Sequence, residues 1–325
     1  MSHLLVTAPY VGEIGWELMS WQGRVRKIFH QGQYDRVIVL GSAGKSAFYE
    51  GIPLEYRDVD LSDLPGSACE DRRMEAETSK CLSAEQLRHH VNDLVQSVVD
   101  EQTAIGHRVD VLWPSYDGTL WPCHEPYQTF VKYQRSIAER PKAPWVVLVQ
   151  RTRLFGNKNW SSSNWADLQQ RLESNGVHTS VYPCDSEAAI AMLSGCDLAV
   201  GQTTGGLHLA SLCDCPVMAW SFYDALLWNW EITNRQRFET WWNPFGALVA
   251  FHHIREFPTP EVAANQVMRA LNTIGRRTGS RLHRIAYQCN YAIQSSLARH
   301  VIEPKRYRRW PWPIQKWVRY QLARA

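Results

Sequence analysis

The sequence predicts an α/β protein with two parallel-sheet domains facing a central cleft. Three observations carry that prediction. Short apolar runs alternate with helical patterns along the chain. The alternation pauses at Arg140-Pro-Lys-Ala-Pro144 and then begins again. The clearest strand, Trp145–Val149, is continuously apolar, as strands are when helices cover both sheet faces. The expected layout is one α/β domain over 1–140, a second over 141–275, and a tail over 276–325.

The elements follow in order. Leu4–Pro9 is a short apolar strand, and Tyr10-Val-Gly-Glu-Ile-Gly15 is a glycine-punctuated loop. Trp16–Phe29 reads as one helix, with Trp16, Met19, Val25 and Ile28 among its apolar positions. Arg36–Ser42 and Leu54–Val59 are the next strands. Residues 60–82 are polar and acidic without a clear period. A helix from Ser83 to about Ala104 carries Leu87, Val91, Leu94, Val95 and Val98 at helical spacing. Val109–Trp113 completes the first set. In the second, Ser163 caps a helix to Ser174 that Asn175-Gly176 stops. Val177–Tyr182 is a strand, Ser186–Ser194 a helix and Asp197–Val200 a strand. Gly201–Gly206 turns into a helix ending near Cys213, Pro216–Trp220 is a strand, and Thr259-Pro260 opens a last helix.

Composition excludes whole classes. The chain has 325 residues, 45% hydrophobic and 21% charged, so it is neither disordered nor collagen-like. No apolar run approaches the ~20 residues a transmembrane helix needs. The N-terminus lacks a basic region and cleavage site, so no signal peptide is expected. Eight Cys are scattered without zinc spacing, which implies a reduced, cytoplasmic chain with no metal centre. The net charge of +3 hides an asymmetry: residues 276–325 hold 12 Lys/Arg and one acid, while the first 275 residues hold 23 bases and 31 acids. A basic tail on an acidic body implies an anionic partner or surface.

Three segments can carry chemistry. Gly201-Gln-Thr-Thr-Gly-Gly-Leu-His208 follows a strand and opens a helix. Ligands of open α/β sheets bind beyond the carboxyl ends of strands, and a helix N-terminus offers free N–H groups to phosphate. Thr203, Thr204, Gly205, Gly206 and His208 are therefore candidate phosphate binders; the alternative is a plain turn with a core-facing His208. Gln150-Arg-Thr-Arg153 through Lys158 follows the first strand of the second half, so Arg151, Arg153 and Lys158 can neutralise a diphosphate or stand as exposed charges. Gly12-Glu-Ile-Gly-Trp-Glu17 follows the first strand of the chain. Glu13 is the candidate general base toward a hydroxyl, Glu17 its competitor, and both can instead be structural. Backbone amides around Gly12 and Gly15 can line the cleft and can instead cradle an acceptor or donor phosphate. Asp117, His124, Glu125, Asn229, Glu231 and Arg235 are further loop candidates.

At these residues the chain resembles the GT-B glycosyltransferases, built of two Rossmann-like domains, and most closely family 9, the ADP-heptose:lipopolysaccharide heptosyltransferases. Gly12-Glu13 stands where the family has a Gly-Asp pair whose acid is the proposed base. Lys158-Asn159-Trp160 and Trp165 resemble its Lys-x-Trp segment. Thr203-Thr-Gly-Gly-Leu-His208, then Ala210 and Pro216-Val217, resemble its donor-phosphate turn and following strand, with Thr203 in place of the family's Asp. The segment from Val181 to Asp197 is short, and Glu187 is the substitute there for a ribose-binding acid. The resemblance covers about residues 4–45 and 145–220. It implies an inverting, metal-independent transfer from a nucleotide sugar to a glycan or lipid-linked acceptor in surface polysaccharide or glycolipid synthesis, with no cofactor.

The tail adds a question of place. Residues 305–325 interleave Lys/Arg with Trp310, Trp312 and Trp317, and Ile314–Ala325 can form an amphipathic helix. That pattern suits an anionic membrane face, so a peripheral membrane location is one expectation. Packing back onto the first domain is another, and nucleic-acid binding a third. A non-catalytic nucleotide- or sugar-binding protein is the alternative function.

Overall fold

The computed structural model describes residues 1–66, 72, 82–115, 128–137, 139–151, 159–222, 234–236, 238–239 and 242–289. The chain divides into two compact units, the first built on Met1–Val131 and the second on most of the chain from Lys132 onward. Each is an α/β layer structure around one parallel sheet, as the alternation predicts.

In the first unit, β1 (His3–Thr7), β2 (Arg36–Gly41), β3 (Leu54–Asp58) and β4 (Arg108–Leu112) form a sheet in the order β3-β2-β1-β4. All three pairings are parallel, with Leu5 opposite Val37 and Asp110. Leu4, Val6, Ile38 and Leu40 pack with Val95 and Val98 of α3 (Ala84–Ala104). The intervening Leu5, Val37 and Val39 are equally buried, so both faces are covered. Ser83 starts α3 through a full capping box with Gln86.

The single helix expected over Trp16–Phe29 is three pieces. Ile14–Trp16 is a short α turn (α1), Glu17–Trp21 a π turn, and Gln22–Gly32 a regular helix (α2). Apolar spacing cannot reveal this, because the cause is a polar one. The Glu17 side chain is drawn inward to Lys45 and Tyr49, and an i→i+5 turn accommodates it.

In the second unit, β5 (Trp145–Val149), β6 (His178–Val181), β7 (Leu198–Gln202), β8 (Val217–Phe222) and β9 (Val249–Ile254) are parallel in the order β6-β5-β7-β8-β9. Val146, Leu148, Leu198, Val200, Met218 and Trp220 pack under α4 (Ser162–Ser174) and α8 (Pro260–Ile274). In chain order between α4 and α8 come α5 (Ser186–Gly195), whose first residues cluster with the first unit, α6 (Gly205–Leu212) and the short α7 (Asn234–Gln236). Thr259 caps α8 with Pro260 in its first turn, as read from the sequence. Three details differ. Ser161, not Ser163, caps α4, its Oγ accepting from the Asn164 N–H at 3.2 Å. β7 continues through Gly201 and Gln202, which pair with β8 instead of opening the turn. β9 went unread because its His252-His253 pair breaks the apolar run, which an edge strand with one open side tolerates.

The start of the tail is bound to this unit. Arg277 holds the fully buried Asp197 carboxylate at 2.7–3.1 Å, and Arg140 joins it at 2.8 Å. Arg276 donates to the carbonyls of Ser194 and Asp214. These bases of the 276–325 segment are therefore structural cations. The described cysteines, Cys184, Cys196, Cys213, Cys215 and Cys289, are free thiols. Among the described residues, no helix is long and apolar enough to cross a membrane.

Candidate functional site

Strand order locates the candidate sites. In the first sheet the chain leaves β1 toward β2 and returns on its other side as β4. In the second it leaves β5 toward β6 and returns as β7. Open α/β sheets bind ligands at such reversals, beyond the carboxyl ends of the two strands. The loop holding Glu13 follows β1. The loop holding Arg151 follows β5, and the Thr203–Gly206 turn follows β7. Glu13, Arg151 and the Thr203–Gly206 turn therefore each follow a strand at the switch point of its own sheet.

The β7–α6 turn is built for close approach. A Cβ on Gly201 would stand 2.5 Å from the Val149 carbonyl oxygen, and one on Gly206 would stand 2.6 Å from Val149 Cγ1. These glycines let α6 and β7 close on β5. Thr204 is the N-cap of α6 in extended geometry, and its side chain makes no capping bond. The first amides, at Gly205 and Gly206, precede the intrahelical bonds that begin when Leu207 and His208 donate to the Thr204 carbonyl. Thr203 and Thr204 are half-exposed. His208 is buried, its ring 4.4 Å from that of Trp242 and 5.4 Å from that of Phe238. Gly201→Ala should cost about 1–3 kcal/mol, because the clash is with backbone that cannot rotate away. An unchanged thermal midpoint in calorimetry would show that β5 and β7 do not need this contact.

Around this turn, Arg151 is half-buried just past the end of β5. Glu187, which clusters with the first unit and not with this turn, is exposed in the first turn of α5. Arg235 of α7 pairs with Glu239 at 3.0 Å. Burial pushes the Glu239 carboxyl up, against the pull of Arg235. Arg153, Lys158, Asp117, His124, Glu125, Asn229, Glu231 and residues 305–325 lie outside the described residues.

The two acids after β1 have different surroundings. Glu13 is half-buried and is the N-cap of α1, its carbonyl accepting from Trp16 and Glu17. A Cβ on Gly12 would meet the Tyr10 hydroxyl at 2.6 Å and its ring at 2.8 Å, and Gly15 is half-buried within α1. Glu17 is 2% exposed, with Lys45 Nζ at 2.5 Å and the Tyr49 hydroxyl at 2.8 Å. Both carboxylate oxygens of Glu17 are therefore already engaged inside the protein. Neither Lys45 nor Tyr49 was legible as its partner, although Gly41-Ser-Ala-Gly-Lys45 after a strand was a usable signal.

No family model and no curated protein sequence matches the chain. Solved structures do. The likeness is to glycosyltransferases. E. coli ADP-heptose lipopolysaccharide heptosyltransferase II is 14% identical, with TM-score 0.46, covering 83% of this chain and 98% of that one. E. coli heptosyltransferase WaaC with ADP is 12% identical, with TM-score 0.43 and coverage of 82% and 99%. The family 9 glycosyl transferase from Veillonella parvula DSM 2008 is 9% identical, with TM-score 0.43 and coverage of 91% and 97%.

Proposed function

We propose that the chain is a GT-B-type glycosyltransferase that moves a sugar from a nucleotide-sugar donor to an acceptor hydroxyl with inversion. The observation that carries this reading is the coincidence of the Thr203–Gly206 turn with the β5/β7 switch point. An uncapped helix N-terminus at that place suits a diphosphate. The sequence resemblance to family 9 runs through the same residues and through Gly12-Glu13.

In this mechanism Glu13 takes the proton of the acceptor hydroxyl as its oxygen attacks the anomeric carbon. The nucleoside diphosphate departs toward the amides of Gly205 and Gly206, the hydroxyls of Thr203 and Thr204, and the cations Arg151, Arg153 and Lys158. Fixed donors of this kind stabilise charge as it develops and need no reorganisation during the reaction. His208, the further phosphate-binding candidate of the sequence, is buried in α6 against Trp242 and Phe238. A glycan or lipid-linked acceptor for surface polysaccharide or glycolipid synthesis completes the proposal, resting on the resemblance alone.

A thermal-shift screen against ADP, UDP, GDP, dTDP and their sugars tests the donor half. A ligand that binds only the native state should stabilise it by about 2.7 kcal/mol at a hundredfold excess over Kd. No concentration-dependent rise with any member of the panel would overturn the reading.

A further inference from the structure

We propose that Glu17, Lys45 and Tyr49 form a buried brace whose role is to position Glu13, so that Glu17 is a positioning residue and not a second base. The proposal rests on the glycosyltransferase reading in which Glu13 is the base.

Glu17 is bound on every side. Its backbone N–H donates to the Glu13 carbonyl at 3.1 Å, and its own carbonyl accepts from Gln22 across the π turn. Its two carboxylate oxygens take Lys45 Nζ at 2.5 Å and the Tyr49 hydroxyl at 2.8 Å. Lys45 is 5% and Tyr49 1% exposed, so water competes for neither bond. The partners are themselves pinned. Arg26 of α2 donates to the Phe48 and Glu50 carbonyls at 2.7 Å, flanking Tyr49. Tyr56 on β3 donates to the Ser42 carbonyl at 2.8 Å, and its ring lies 5.9 Å from that of Tyr49. The turn from Glu13 to Glu17 is thus fastened to the loop after β2 by a charged pair that the reaction itself does not use.

Two features point to positioning rather than mere packing. A π turn begins four residues after the candidate base, beyond α1; it departs from regular hydrogen bonding, and such turns recur at functional sites. A buried ion pair is also an inefficient way to gain stability, since apolar replacements of similar volume often do as well or better. Its specific product here is a fixed direction for the backbone that carries Glu13.

That asymmetry supplies the experiment. The double variant Glu17→Leu with Lys45→Met, in the full chain, should fold with a thermal midpoint near the wild type's. Hydrogen exchange should then quicken at least tenfold at the Trp16 and Glu17 amides, with α3 unchanged. Turnover is read as nucleoside diphosphate released, with water as the acceptor of the sugar, from the nucleotide sugar giving the largest thermal shift. The kcat should fall at least tenfold with the donor KM within twofold. Tyr49→Phe, which removes one bond and no charge, should shift exchange and kcat the same way by less, and it serves if the double variant fails to fold. Unchanged exchange at Trp16 and Glu17 overturns the brace. Loosened amides with unaltered kcat overturn its positioning role. If Glu13→Gln leaves turnover intact while the brace variants loosen the turn, the failure belongs to the base assignment instead.

Discussion

Glu13→Gln is expected to lower kcat by about 10²–10⁴-fold, the range lost when a positioned general base is removed. At 1.36 kcal/mol per factor of ten, that is roughly 3–5 kcal/mol of barrier. Gln keeps the shape of the side chain and its ability to accept a hydrogen bond, but it cannot take a proton. The Glu13 carbonyl, which accepts the first bonds of α1, is untouched, so the turn should keep its geometry. Nucleotide binding should survive, because the proposed diphosphate contacts belong to the β5 and β7 loops. Glu17→Gln should behave differently. It leaves Lys45 buried beside a neutral partner, so its first effect is on stability. Measuring kcat, KM and the unfolding midpoint for both variants separates the two acids. Equal turnover in Glu13→Gln would remove that residue from the mechanism.

The contrast between these acids shows what a sequence conveys. Both were visible as candidates, because a glycine-punctuated loop after a strand is a local signal. What divides them is a contact 28 residues away in sequence, which no local pattern reports. The same holds elsewhere. Strands such as Trp145–Val149 and Val37–Leu40 were legible because burial on both faces leaves an unbroken apolar run. Caps such as Ser83 and Thr259 were legible because the chemistry acts within one turn. β9 was not, since its polar residues answer to an open edge. His208 was legible as a residue of the turn, whereas its aromatic seat against Trp242 and Phe238 required the fold. The basic tail was legible as composition only. Arg276 and Arg277 belong to it by sequence and to the second unit by contact.

Asp197→Ala is the substitution expected to cost the most stability. Asp197 is fully buried at the amino end of β7 and accepts from the Trp145 N–H, the Arg140 and Arg277 guanidiniums, and the Arg277 N–H. It therefore joins the 140–144 segment, the interior strand β5 and the start of the tail. Breaking a buried pair costs about 3–5 kcal/mol. The lower end applies, because the Arg140 and Arg277 side chains are 30% and 34% exposed and can turn to water, while the Trp145 N–H cannot. A loss of about 3 kcal/mol corresponds to roughly 6–12 °C in the midpoint of a unit this size. The pH dependence gives an independent check. Burial pushes the Asp197 carboxyl up, but Arg277, the Trp145 N–H and Arg140 together hold it below the usual carboxylate range. In the unfolded chain an Asp titrates near ~3.9. The folded value is the lower of the two, so the contribution is complete above that pH and is lost as pH falls through the folded value. Urea unfolding should therefore show wild-type stability dropping more steeply below pH ~4 than that of Asp197→Asn, whose amide keeps an acceptor for the Trp145 N–H but no titrating charge. Parallel curves for the two proteins would mean that the arginines, not the carboxylate, hold this junction together.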